Sequence, residues 1–108
     1  MPGLVHITPS GPNEVRVASA AGEERVALPP RLFALLLALV SSPGRVVPAD
    51  EIIVHVYGAQ AVGVTDAALA QLAKRLRRAL DPPARRLAGD PDYRSIDTIR
   101  EVGYRLNG

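Results

Sequence analysis

The stretch VTDAALAQLAKRLRRAL, Val64 to Leu80, carries the strongest helical signature in the chain and decides how the rest is read. At 100° per residue Leu69, Leu72, Ala73, Leu76 and Leu80 fall within one arc of roughly 100°, the width of a core-facing stripe. Thr65 or Asp66 can cap the start, and Asp81-Pro82-Pro83 predicts the end. The opposite side is Ala67, Gln71, Lys74 and Arg78, with Arg75 and Arg77 flanking it. Ordinary surface helices mix Glu with Lys at i,i+4, yet no acid follows Asp66 before Asp81. A face that is small at its start and cationic from its middle suits a helix laid in a DNA groove. Small residues allow close approach to base edges, Gln can pair with adenine, and Arg and Lys can reach guanine or phosphate.

Upstream, LFALLLALV (Leu32 to Val40) is apolar nearly all round and follows Pro29-Pro30, which suits a helix start; Ser41-Ser42-Pro43-Gly44 ends it. This predicts the central buried helix. In RVVPADEIIVHVYG (Arg45 to Gly58) the β-branched residues favour a strand by propensity. Pro48 suits a helix start, however, Asp50 and Glu51 suit its positive end, and Ile52, Ile53, Val56 and Tyr57 share one face. The spacing therefore predicts a second helix, and Ala59 to Gly63 a short loop. The first 28 residues hold three strand-like runs, Leu4 to Thr8, Glu14 to Ala18 and Arg25 to Leu28, separated by Gly, Pro and Asn clusters as in an antiparallel meander. After a loop over Ala84 to Arg94, Ile96 to Arg100 and Tyr104 to Leu106 read as a hairpin, with Gly103 supplying the positive φ of its turn.

The chain has 108 residues, a net charge of +2 and a hydrophobic fraction of 47%. That length bounds one domain and excludes two ordinary cores, and the apolar fraction, enough for one core, excludes disorder. Without cysteine there is no disulfide framework, thiol nucleophile or cysteine metal site, and two distant histidines cannot close a zinc site. His6 and His55 read as structural or surface residues, Ser41 and Ser42 as turn residues, and Tyr57 and Tyr104 as core-edge aromatics. Neither a catalytic constellation nor a cofactor-binding pattern is found, which predicts a protein that is not an enzyme. The longest apolar run, Leu32 to Val40, is far short of the about 20 residues a membrane span needs. A soluble, cytoplasmic, nucleoid-associated protein whose domain makes no membrane contact is expected.

Charge is unevenly placed. Residues 1–63 carry four Arg against five acids, whereas residues 64–108 carry nine cations against six acids. Twelve of the thirteen cations are Arg, which fits codon bias in a GC-rich genome, so position on the helix, not Arg number, carries the reading.

Strands, three helices and a hairpin with Arg at its tip follow the order of a winged helix. The residues from Leu28 to Leu106 resemble the effector domains of OmpR/PhoB-type and CadC/ToxR-type bacterial transcriptional regulators. The resemblance rests on Leu28 with FALL at Phe33 to Leu36, PGRVVPADEII running to VYG at Gly58, VTDAALAQLAKRLRRALDP, and I-x-T-I-R followed by VGYRL. It implies an α+β winged helix-turn-helix in a single domain over 1–108: an N-terminal sheet (1–28), a three-helix core (29–82) and a wing hairpin (95–108). It further implies double-stranded DNA as partner, with the helix over 64–80 in the major groove and the wing near Arg100 in an adjacent minor groove. Family DNA contacts match Gln71, Lys74, Arg75, Arg77 and Arg100; the helix face itself adds Arg78. The loop Ala59 to Gly63 matches a segment used toward RNA polymerase or a neighbouring subunit, and homodimers on direct repeats are implied.

Three positions depart from the family pattern: Leu32 where Glu is usual, Pro48 near a usual Ser or Thr, and Glu101 where Gly often follows the wing Arg. Glu101 would partly cancel the charge that the wing presents. No receiver segment precedes the module, which leaves a standalone regulator or a piece of a longer protein. The competing reading is a winged helix that binds protein, an adaptor within a larger signalling or defence protein. Such a helix would expose apolar anchors where this one exposes Gln and cations.

Overall fold

The computed structural model describes residues 4–42 and 44–107; Pro43 of the expected turn and both chain ends lie outside the described residues. Strands β1 (His6–Gly11), β2 (Glu14–Ser19) and β3 (Gly22–Ala27) form the expected antiparallel meander in the order β1-β2-β3. Pro9 is tolerated because β1 is an edge strand, and the register slips between Pro9 and Gly11. Asn13 turns the first hairpin with φ 57°, a conformation that Asn adopts more readily than most residues. Ile7, Val15 and Val17 line the inner face and are buried against the helices.

Helix α1 (Pro30–Val40) begins on its proline and buries Leu35, Leu36 and Leu39 completely, as its all-round apolarity requires. Helix α2 (Ala49–Tyr57) confirms the helical reading of Arg45 to Gly58: Ile52 and Ile53 are buried, with Asp50 and Glu51 in the first turn. Its N-cap, Pro48, lies in a strand absent from the sequence reading, β4 (Val47–Pro48), which pairs with the C-terminal hairpin. Two residues are too few to leave a period-2 signature.

Helix α3 (Asp66–Ala88) starts as expected, with Thr65 Oγ1 accepting from the Ala68 amide at 3.1 Å. Its end corrects the sequence reading. The helix does not stop at Leu80 but runs through Pro82 and Pro83 to Gly89, which closes it at φ 66°. The helical core thus extends past 82, and the loop expected over Ala84 to Arg94 shrinks to its last few residues. Proline inside a helix costs about 3 kcal/mol or more. Tertiary contacts offset this: Pro83, Ala84 and Ala88 are buried, Ser19 Oγ donates to the Leu87 carbonyl at 2.7 Å, and Arg86 bonds Glu24 at 2.7 Å. The second half of α3 is therefore the platform on which the meander sits.

The hairpin strands β5 (Ile96–Ile99) and β6 (Gly103–Leu106) complete a second sheet in the order β4-β6-β5. Here too the turn corrects the expectation. Glu101, not Gly103, adopts the positive φ, at 64°. Gly103 is needed for a different reason: a Cβ there would lie 2.9 Å from Pro48 Cα and closer still to the Val47 carbonyl, so β4 could not approach β6.

Candidate nucleic-acid interface

The first half of α3 is divided as its periodicity demands. Leu69, Leu72, Ala73, Leu76 and Leu80 are buried, while Ala67, Gln71, Lys74, Arg75 and Arg78 are exposed. At helical spacing Gln71 neighbours Lys74 and Arg75, and Lys74 neighbours Arg78, so the four polar side chains form one surface. From Ala67 to Arg78 this surface runs about 16 Å along the axis, at 1.5 Å per residue.

Arg100 is brought to the tip of the wing, exposed beside Glu101. The wing is tied to the helices at both ends. At the tip the Val102 carbonyl accepts from the Ala49 amide at 3.0 Å, satisfying one of the free donors that begin α2. At the base Asp81, nearly buried on α3, accepts from both the amide and the hydroxyl of Ser95, at 2.8 and 2.6 Å. Arg85 sits 3.6 Å from the second oxygen of Asp81 and donates from Nε to the Tyr93 carbonyl at 2.9 Å. Tyr93, without a role in the sequence reading, donates its hydroxyl to the Asn107 carbonyl.

Arg77 is the predicted contact residue that the fold treats differently. It is half-buried on the flank of α3; its Nε donates to the Ile96 carbonyl at 3.1 Å and a terminal nitrogen donates to Thr98 Oγ1. Periodicity placed Arg77 beside the outer stripe but could not show that β5 lies there to receive it.

Two cations beyond the expected helix end, outside the predicted contact set, gather beside Arg77. Arg85 and Arg94 join Arg77, Asp81 and Asp97 around a groove of about 440 Å³ between α3 and β5. Its acids are engaged: Asp81 as above, and Asp97 by Arg105 at 2.8 Å. Burial pushes the Asp97 carboxyl up, but the hydrogen bonds from Arg105 and Asn107, with the charges of Arg105 and Arg94, hold it below its ordinary value. Burial raises the Tyr104 hydroxyl, with Arg77 opposing and Asp66 reinforcing the shift. Among the described residues no cluster of His, Asp and Glu could hold a metal ion, and no helix is long and apolar enough to cross a membrane.

Two sheets around three helices, with a hairpin beside an exposed cationic helix, define a winged helix. Residues 22–106 match the family described as "Transcriptional regulatory protein, C terminal", and the chain belongs to that family, the OmpR/PhoB-type DNA-binding domains of transcription regulators rather than enzymes. It is 36% identical over 87 residues to the phosphate regulon transcriptional regulatory protein PhoB of Escherichia coli strain K12. The match covers 81% of this chain and 34% of PhoB, so the chain spans about a third of the length of that relative. Among solved structures, the DNA-binding domain of the response regulator AdeR, in complex with an intercistronic region, superposes with a TM-score of 0.72 at 14% identity, covering 96% of this chain and 94% of that one. The Klebsiella pneumoniae RstA DNA-binding domain, in complex with the RstA box, superposes with a TM-score of 0.59 at 25% identity, covering 94% of this chain and 97% of that one.

Proposed function

We propose that this domain binds double-stranded DNA sequence-specifically in bacterial transcription regulation, with the first half of α3 in the major groove and the wing near Arg100 in an adjacent minor groove. The observation that carries the reading is the division of α3: one face seals the core, and the other presents Gln71, Lys74, Arg75 and Arg78 without an acid among them. An exposed stripe of about 16 Å is long enough for a major groove about 12 Å wide. The solved AdeR and RstA domains, which share the fold, hold DNA in their structures. In vitro selection from a random duplex pool, followed by salt titration, tests the proposal. Enrichment of one motif, with affinity falling as salt rises, is expected. A pool without enrichment overturns it and favours the protein-binding adaptor.

The loop over 59–63 supports a protein contact in addition. Val62 is 95% exposed there, so its side chain is open to RNA polymerase or a neighbouring subunit. Pairing of copies on direct repeats and a cytoplasmic, nucleoid-associated setting belong to the same reading.

A further inference from the structure

We infer that Arg77 is a positioning residue: it sets the angle of the wing against the recognition half of α3 and does not act as a DNA-contacting cation. The inference rests on the docking proposed above, in which helix and wing occupy neighbouring grooves. Two elements can engage two grooves together only if the angle between them is held. β5 is an edge strand, bonded to β6 on one side alone, so its outer side has no strand partner. Arg77 fills that place. Its guanidinium spans the Ile96 carbonyl and the Thr98 hydroxyl, two residues apart on the same strand, and so constrains the direction of β5 as well as its distance from α3.

The other ties of the wing act elsewhere. Val102 at the tip is bonded to Ala49 of α2, and Ser95 at the base to Asp81, beyond the cationic stripe. Among the described residues Arg77 alone joins, by side-chain hydrogen bonds, the middle of β5 to the part of α3 that carries Gln71, Lys74 and Arg75. With Nε and a terminal nitrogen occupied, its fork is turned toward the strand and away from the outer stripe.

Lysine separates the two roles, because it keeps the charge but has rotatable donors on a flexible stem in place of the rigid planar fork that fixes two acceptors in one geometry. Arg77→Lys, Arg100→Ala, the double variant, and the control pair Arg75→Ala with Arg75→Ala/Arg100→Ala are titrated against the selected duplex, after thermal melting confirms folding. In the wild type and in the Arg75→Ala background, Arg100→Ala is expected to weaken binding several-fold. In the Arg77→Lys background it is expected to weaken binding less than twofold, because the wing is no longer aimed. Thr98→Val removes one acceptor without changing charge, is expected to shrink the Arg100 penalty in the same direction, and decides the matter if Arg77→Lys fails to fold. A full Arg100 penalty in both backgrounds overturns the positioning role while leaving the proposed function intact. No Arg100 penalty in the wild type, with Arg75→Ala still weakening binding, overturns the wing placement and this inference with it. Absence of any selected duplex overturns the DNA-binding proposal itself.

Discussion

The two halves of α3 use the same backbone for opposite purposes. From Asp66 to Leu80 the helix has a dry side and a wet side, its polar residues other than Arg77 are exposed to solvent, and its start is marked by a side-chain cap. From Asp81 to Ala88 it contains two prolines, buries the carboxylate of Asp81 and takes ties from β2, β3 and the entry to β5. A free surface suits the first half because a partner must reach it. The second half is held on several sides, so neither a helix-breaking residue nor a buried charge dislodges it. The exposed polar face and the anchoring contacts are thus separated along one helix, and Asp81→Ala and Arg75→Ala should each disturb one while sparing the other.

The largest effect is expected from Leu76→Ala. Leu76 is fully buried on the dry side of the first half, and its truncation should cost about 2 to 5 kcal/mol in denaturant melts. A loss within experimental error would mean that the helix faces the other way. Asp81→Ala tests the second half. It leaves the buried amide and hydroxyl of Ser95 without their acceptor, at a cost of about 1 to 3 kcal/mol, while duplex affinity measured well below the melting temperature stays within twofold. A large affinity loss with little stability loss would erase the distinction between the halves.

Arg75→Ala is the converse. Arg75 is exposed and bonded to nothing among the described residues that its removal would unsettle, so stability should hold while affinity falls by about 1 to 3 kcal/mol if a base is read. Glu101→Gly sharpens the picture at the wing. A non-glycine residue at φ 64° is strained by about 1 to 2 kcal/mol, partly offset by the greater freedom of glycine in the unfolded chain. A net gain of about 0.5 to 1 kcal/mol in melting experiments is expected, together with tighter duplex binding once the acid beside Arg100 is gone. The smallest effect is at Asp97. A carboxyl held below its ordinary value stabilises the fold above the usual carboxylate range, and that contribution is lost as pH falls through its folded-state value. Asp97→Asn should therefore narrow the stability difference between pH 6 and pH 3 relative to the wild type, which urea melts at the two pH values would show.

The glycine that the resemblance implies at position 101 has a physical reason. The turn demands a left-handed residue there, and this chain meets the demand with Glu101. Charge beside Arg100 suggested one cost of that departure; backbone strain is the second, visible only once φ is known.

Sequence by itself determined the elements whose signals are local. Leu69, Leu72, Leu76 and Leu80 recur at the helical period, so the dry side of α3, and with it the exposure of Gln71, Lys74, Arg75 and Arg78, follows from spacing alone. The helical nature of Ala49–Tyr57 followed from Pro48, the acids after it and the shared face of Ile52 and Ile53, against β propensity. Only the tertiary structure decided where α3 ends, which residue turns the wing, and what Arg77 holds. Each depends on a group distant in sequence: Leu87 and Arg86 meet Ser19 and Glu24, Gly103 meets Val47 and Pro48, and Arg77 meets Ile96 and Thr98. Periodicity reports which side of a helix is dry, because burial repeats with the backbone. It cannot report which neighbour lies on the flank, because that contact is made once, by the packing of the whole domain.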